Sequence, residues 1–143
     1  MKEQVIKGKN VSRMPIWIRQ QLGDGVDYGR THQAVHENRL HTVCQEARCP
    51  NRGECWSRGT ATFMLLGDTC TRACGFCSVK TGRPGALNTD EPEQVTDAIK
   101  AMDLRYVVLT SVNRDDLMDG GAGIFADTYT LLKEYNPHIG IEG

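Results

Sequence analysis

Three short apolar runs in the second half of the chain predict three buried strands. Residues 61–66 (ATFMLL) form a continuous apolar run that ends at Gly67, and residues 106–109 (YVVL) form a second run. Runs of this length between polar or glycine residues are typical of strands that are buried on both faces. A third strand is predicted to begin at residues 138–141.

Two amphipathic segments separate these runs and predict helices. The first begins at Asp90, since acidic residues in a first turn interact favourably with the helix dipole, and Val95, Ile99 and Met102 lie on its apolar face. The second covers residues 124–135. The order strand, loop, helix, strand predicts a parallel α/β unit. Periodicity alone fits the start of a TIM-like barrel and a small doubly wound sheet equally well.

The first part of the chain is polar and irregular. We therefore predict an N-terminal arm over residues 1–60, followed by βα units over residues 61–143. Residues 31–41 favour a helix, because Thr31 is a suitable capping residue. Residues 44–59 are rich in Cys, Pro, Gly, Asn and Arg, which favours a loop held by something other than a hydrophobic core.

Composition narrows the class of protein. The 143 residues include 17 basic and 18 acidic residues, and this net charge of −1 provides no basic field for nucleic acid or an anionic membrane. No apolar run approaches the ~20 residues of a membrane helix, and the polar residues 1–9 do not resemble a secretory signal. We expect a cytoplasmic protein that binds neither nucleic acid nor membrane.

The six cysteines fall into two compact sets of three. One set reads C-x4-C-x5-C and the other reads C-x3-C-x2-C: Cys44, Cys49 and Cys55, then Cys70, Cys74 and Cys77. In a reducing compartment such clusters more often bind metal than form disulfides. A structural zinc site remains an alternative, because His41, three residues before the first set, would complete a Cys3His set of ligands. An iron–sulfur cluster is the more specific interpretation, because three thiolate ligands leave one of the four irons of a cluster free to bind a small molecule.

The second cysteine set resembles the signature of the radical S-adenosylmethionine (SAM) superfamily. Residues 70–77 (CTRACGFC) match its pattern C-x3-C-x-aromatic-C in full. Residues 41–56 (HTVCQEARCPNRGECW) and 110–117 (TSVNRDDL) narrow the resemblance to the lipoyl synthase family, from about residue 13 onwards. The resemblance implies the N-terminal portion of a partial TIM-like (β/α) radical SAM barrel, preceded by an irregular cluster-binding arm.

The resemblance implies a radical reaction with two 4Fe–4S clusters as cofactors. The second cysteine set would hold a cluster whose open iron chelates SAM, and reductive cleavage of SAM would start hydrogen abstraction from an octanoyl chain. The first set would hold an auxiliary cluster, consumed as the source of the two sulfurs inserted at C6 and C8. In the family its fourth ligand is a serine near the C-terminus, and this chain ends before such a motif.

The implied partners are an octanoylated lipoyl carrier domain and an electron donor. The carrier would belong to a 2-oxoacid dehydrogenase E2 subunit or to the glycine cleavage H protein, and the donor would be a ferredoxin or flavodoxin. Such chemistry requires no acid–base residues, and the sequence contains no persuasive Ser/His/Asp or paired-carboxylate constellation. The alternatives are another radical SAM enzyme and a non-catalytic, metal-stabilised binding module.

A few polar and aromatic residues near the second set are candidates for cofactor contact. The resemblance implies contact between the methionyl end of SAM and three residues, Ser111, Asn113 and Arg114. The alternative is that these residues only stabilise a turn, with a local Arg114–Asp ion pair. Phe76 could stack on a planar ligand or simply anchor its loop. The glycines of residues 119–122 (DGGA) either form an ordinary turn or let the backbone approach a ligand.

The length of the chain conflicts with a complete barrel. A TIM-like barrel takes ~250 residues, whereas this chain contains only two βα units and the start of a third strand. We therefore expect an incomplete fragment of a larger domain, with its third strand left as an open edge. The fragment alone is expected to bind iron poorly and to be inactive.

Overall fold

A three-stranded parallel sheet organises the part of the chain that the computed structural model describes, residues 26–37 and 40–143. In chain order the elements are α1 (Val26–Glu37), α2 (Val43–Glu46), α3 (Arg52–Ser57), β1 (Thr60–Leu65), β2 (Thr69–Cys70), β3 (Lys80–Thr81), α4 (Glu91–Met102), β4 (Tyr106–Ser111), α5 (Ala122–Tyr135) and β5 (Gly140–Glu142). The sheet has the order β1-β4-β5, and both pairings are parallel. The predicted parallel α/β unit is therefore confirmed.

The strand boundaries differ from the prediction at their ends. Strand β1 stops at Leu65, because Leu66 has a left-handed φ of 70° that no extended strand can continue. Strand β4 runs two residues past the predicted end, since Thr110 and Ser111 lie in register with Met64 and Leu65. The loop after β4 is correspondingly shorter than predicted.

The core lies between the sheet and the helices that follow its strands. The predicted apolar face of α4 is buried, with Ile99 fully inaccessible to solvent. Phe63 and Met64 of β1, which point to opposite faces of the strand, are both buried, as expected for a strand covered on both faces. In the residues that the structure describes, no helix has both the length and the apolar character to cross a membrane.

The N-terminal part contains more regular structure than its composition suggests. Helix α1 starts at Val26, so Thr31 lies inside the helix with 1% of its surface exposed and does not cap it. Residues 44–59, predicted as a loop, contain most of α2 and all of α3. Trp56 is fully buried in the same core as the sheet, and the loop prediction failed because this tertiary contact outweighs local composition.

Candidate functional site

The loops after β1 and β4 meet at one edge of the sheet. Adjacent parallel strands place their carboxyl ends side by side, where α/β proteins position their functional groups. The backbone N–H of Thr71 donates to the Asn113 carbonyl over 3.0 Å. The cysteine-rich loop after β1 also contains the two-residue parallel strands β2 and β3, in which Thr69 pairs with Lys80 and Cys70 with Thr81. The cysteine-rich loop is therefore anchored at its start.

A tight turn at the end of β1 directs the chain into the cysteine-rich loop. Leu66 and Gly67 both have positive φ angles, 70° and 94°. The Leu66 N–H donates to Oε2 of Glu91 over 2.8 Å, and the carboxyl is buried at the N-terminus of α4. Burial raises the pKa of Glu91, and the amides of Leu66 and Gly67 oppose that shift. The turn is thus fixed by a buried side chain 25 residues away.

Arg114 holds the same turn from the other loop. Its side chain is 3% exposed, and its Nη1 donates to the Leu66 carbonyl over 3.3 Å. Its Nη2 donates to the Gly85 carbonyl over 3.1 Å. Nε and Nη2 form a two-pronged contact with the Asp116 carboxylate, each at 2.8 Å, which raises the pKa of Arg114 and lowers that of Asp116. The guanidinium therefore joins three segments of the site.

The three cysteines of the second set lie on one loop but differ in accessibility. Cys70 is half-buried on β2, whereas Cys74 and Cys77 are exposed and joined by a turn bond from the Cys77 N–H to the Cys74 carbonyl over 3.1 Å. The Cys70 sulfur accepts hydrogen bonds from the Asn113 N–H at 3.2 Å and the Arg72 N–H at 3.5 Å. One sulfur is thus held in place and two face outwards.

The first cysteine set lies on and between α2 and α3. Cys44 is buried in the core, and its carbonyl accepts from the Cys49 N–H over 3.1 Å. The pKa of Cys55 is raised first by burial and then by the nearby thiols of Cys44 and Cys49. The three residues are thus close enough to influence one another, and their role as ligands of one centre stays a prediction.

The donor chemistry of both sets fits an iron–sulfur cluster. All six cysteines are free thiols, and each set offers three sulfurs, the ligand type that such clusters take. Among the described residues, no three histidine, cysteine or carboxylate side chains are already arranged as a metal site.

The four residues predicted to contact SAM lie in different environments. The Asn113 N–H contacts the Cys70 sulfur, Ser111 is the last residue of β4, and Phe76 is 94% exposed on the loop between Cys74 and Cys77. Arg114 forms the local ion pair that was predicted as the alternative to SAM contact, and its partner is Asp116. Contact of these residues with SAM stays a prediction.

The glycines between Asp119 and Ala122 form the entry to α5. The Asp119 carboxylate accepts from the N–H groups of Gly121 and Gly123, both at 2.9 Å, and these bonds lower the pKa of Asp119. Gly121 has a φ of 94°, and a Cβ atom there would overlap the Leu66 side chain. Of the two alternatives, the structure describes a turn in which glycine makes room for Leu66.

Replacing Gly121 with alanine is expected to lower the free energy of unfolding by about 1–3 kcal/mol, because positive φ strain adds to overpacking against Leu66. Gly120→Ala is the matched control, since Gly120 also has a positive φ but has open space around its Cβ position. Urea denaturation measures both variants. Equal losses of stability would show that packing against Leu66 contributes nothing.

Sequence reasoning missed Glu91, Asp115 and Thr71 as parts of this site. Glu91 has the pattern of an ordinary first-turn acidic residue, yet its carboxyl turns inwards to the end of β1. Thr71 and Asp115 are 44 residues apart and meet only because β1 and β4 are neighbours. The one available signal was the dense run of polar residues after β4.

Comparisons with known proteins show which sequences this chain is similar to. The family model described as the N-terminal domain of lipoyl synthase of the radical SAM family matches residues 1–49. A lipoyl synthase from Deinococcus radiodurans is 56% identical over 131 residues, which are 91% of this chain and 40% of that protein. Lipoyl synthases from Symbiobacterium thermophilum and Oceanobacillus iheyensis are each 52% identical, over 93% and 91% of this chain and 42% of each relative. The chain thus spans about two fifths of the length of these curated relatives.

Proposed function

Since this chain is homologous to the N-terminal part of lipoyl synthases, we propose that it carries the cluster-binding region of a radical SAM sulfurtransferase. The reaction is the insertion of two sulfur atoms at C6 and C8 of a protein-bound octanoyl group, which makes the lipoyl cofactor. The observation that carries the proposal is the pair of cysteine triads, one in the arm and one directly after β1. The parallel sheet supports a TIM-like barrel whose first βα units are residues 61–143, with residues 1–60 as the arm.

We assign a different group to each triad. Cys70, Cys74 and Cys77 would hold the 4Fe–4S cluster that binds SAM, and Cys44, Cys49 and Cys55 would hold an auxiliary 4Fe–4S cluster. When bound, the two groups supply one-electron cleavage of SAM and the sulfur atoms for insertion. The different environments of the two sets support this division, because Cys74 and Cys77 are exposed on the loop between β2 and β3 whereas Cys44 is buried.

The surrounding residues would position SAM and restrict its motion. Asn113 lies beside Cys70 and Ser111 ends β4 two residues earlier, and polar groups there would orient the amino and carboxylate groups of a bound ligand. Phe76 offers an aromatic face on the cluster loop. Arg114 would act through the Leu66 turn, which it holds in place. A radical reaction needs fixed geometry more than acid–base groups, because C–H bonds of an alkyl chain offer no acidic proton.

The substrate and redox partners follow from the proposed reaction. They are an octanoylated lipoyl carrier domain and a ferredoxin- or flavodoxin-like electron donor. The curated relatives are more than twice as long as the matched region, and the proposed activity is that of a polypeptide of their length. The 143-residue chain by itself is expected not to turn over.

Anaerobic reconstitution with iron and sulfide tests the proposal. Brown protein with roughly equal amounts of bound iron and sulfide is the expected result. Because the chain alone is expected to bind iron poorly, its iron content should stay below the about eight irons of two complete cubane clusters. Colourless protein with tightly bound zinc would instead identify a metal-stabilised binding module.

Single substitutions separate the two triads. Cys74→Ala and Cys49→Ala are each expected to remove up to about four irons, since each breaks one triad of thiolate ligands. Only Cys74→Ala should abolish the change that SAM causes in the electron paramagnetic resonance (EPR) spectrum of the reduced protein. A Cys74→Ala protein that still responds to SAM would show that the second triad is wrongly assigned.

A further inference from the structure

A network of side chains ties the loop that carries Cys70, Cys74 and Cys77 to the loop that follows β4. Its centre is the Asp115 carboxylate, which accepts from Arg72 Nη2 at 2.8 Å and from Arg72 Nε at 3.1 Å. Thr71 Oγ1 donates to the same carboxylate over 2.7 Å. We call Thr71, Arg72 and Asp115 the Asp115 latch.

The latch lies next to the one cysteine sulfur of this loop that receives hydrogen bonds. The Thr71 N–H donates to the Asn113 carbonyl over 3.0 Å, and the Asn113 N–H donates to the Cys70 sulfur over 3.2 Å. The Asp115 N–H closes the ring of contacts by donating to Thr71 Oγ1 over 3.2 Å. Fixing Asp115 against Thr71 therefore fixes the Asn113 amide against the Cys70 sulfur.

The geometry of the latch differs from that of an ordinary surface ion pair. Arg72 and Asp115 have 64% and 48% of their side-chain surface exposed, and a single exposed pair usually adds little stability. Here the guanidinium contacts both carboxylate oxygens and a hydroxyl supplies a third donor, an arrangement that orders both partners. The neighbouring Asp116 turns the other way and pairs with Arg114.

We propose that Asp115 is a positioning residue that holds the Asn113 amide on the sulfur of Cys70 and so sets the electronic environment of the SAM-binding cluster. The inference rests on the proposed function, in which Cys70 is a ligand of that cluster. Hydrogen bonds to ligand sulfurs are among the factors that set the reduction potential of an iron–sulfur cluster. Asp115 acts here through Thr71 and Arg72 and touches no reacting atom.

Amide hydrogen exchange in the metal-free chain tests the latch directly. In Asp115→Ala and Asp115→Asn we expect the Asn113 and Thr71 amides to exchange about three- to tenfold faster, because local opening no longer breaks the latch. The Leu132 amide in α5 should keep its exchange rate, which excludes global destabilisation. Asp97→Asn is the matched control, since it removes another exposed pair, with Lys100, far from the cysteines in sequence. Unchanged exchange at Asn113 in both Asp115 variants would overturn the proposal.

Reconstituted protein provides the second measurement. Asp115→Asn is expected to retain bound iron but to shift the midpoint potential and EPR signal of the SAM-responsive cluster, whereas Asp97→Asn leaves both unchanged. An unshifted potential would overturn the assigned role even if exchange at Asn113 increases. A chain that binds no iron in any variant would contradict the proposed function, and the exchange experiment would still decide whether the latch exists.

Discussion

Replacing Trp56 with alanine is expected to lower the free energy of unfolding by about 3–5 kcal/mol, the usual cost of truncating a buried large aromatic side chain. Trp56 is completely buried and packs against Tyr28 of α1, with ring centroids 5.5 Å apart. The guanidinium of Arg52 lies over the same ring at 5.5 Å. The side chain therefore joins α1, α3 and the sheet, and chemical denaturation monitored by circular dichroism measures its contribution.

Trp56→Phe is the control that separates packing from hydrogen bonding. The indole Nε1 has no hydrogen-bond partner among the described residues, so phenylalanine loses volume but no described hydrogen bond. We expect this variant to lower the free energy of unfolding by about 1–2 kcal/mol. Similar losses for the alanine and phenylalanine variants would mean that packing of the ring does not hold the arm. Because Cys44 and Trp56 are buried in the same core, we also expect Trp56→Ala to increase the alkylation rate of the Cys44 thiol.

Replacing Arg114 with alanine is expected to lower the free energy of unfolding by about 2–4 kcal/mol, because it leaves two carbonyl acceptors without this donor and removes a buried cation. The carbonyls are those of Leu66 and Gly85, and the Asp116 carboxylate loses its two-pronged contact. Urea denaturation at neutral pH measures the loss. Arg114→Lys keeps the charge but not the planar set of donors, so an intermediate loss is expected.

The cost of Arg114→Ala should depend on pH through Glu91. Burial raises the folded-state pKa of Glu91, and Arg114 partly opposes that shift, so removal of the guanidinium raises the pKa further. A carboxyl whose folded pKa exceeds its unfolded value lowers stability as the pH rises from the unfolded pKa through the folded pKa. The loss caused by Arg114→Ala should therefore be smaller in mildly acidic than in neutral solution. A loss that grows on acidification would contradict this arrangement of charges.

The elements with strong local patterns were predictable. The continuous apolar run of β1 and the spaced apolar face of α4 were found from the sequence, because each pattern reflects burial that the element alone requires. The short helices α2 and α3 were not predicted. Their residues are poor in apolar side chains, and the burial of Cys44 and Trp56 depends on contact with distant parts of the chain.

In the candidate site, too, features encoded by neighbouring residues were predictable and contacts between distant residues were not. The cysteine spacing indicated two three-thiol centres, since ligands of one centre that are close in sequence leave a direct signal. The contacts that hold these centres span long separations, 25 residues between Leu66 and Glu91 and 43 residues between Cys70 and Asn113. No local pattern encodes such pairings.

The sequence by itself determined the parallel α/β order and the grouping of the six cysteines into two sets of three, because hydrophobic periodicity and cysteine spacing are properties of short segments. Only the tertiary structure decided which carboxylates serve the site. In the structure, Glu91 accepts a hydrogen bond from the turn after β1, and Asp116 pairs with Arg114. Asp115 pairs with Arg72 on the cysteine-rich loop. The physical reason is the parallel pairing of β1 with β4, which brings two loops far apart in sequence to one edge of the sheet.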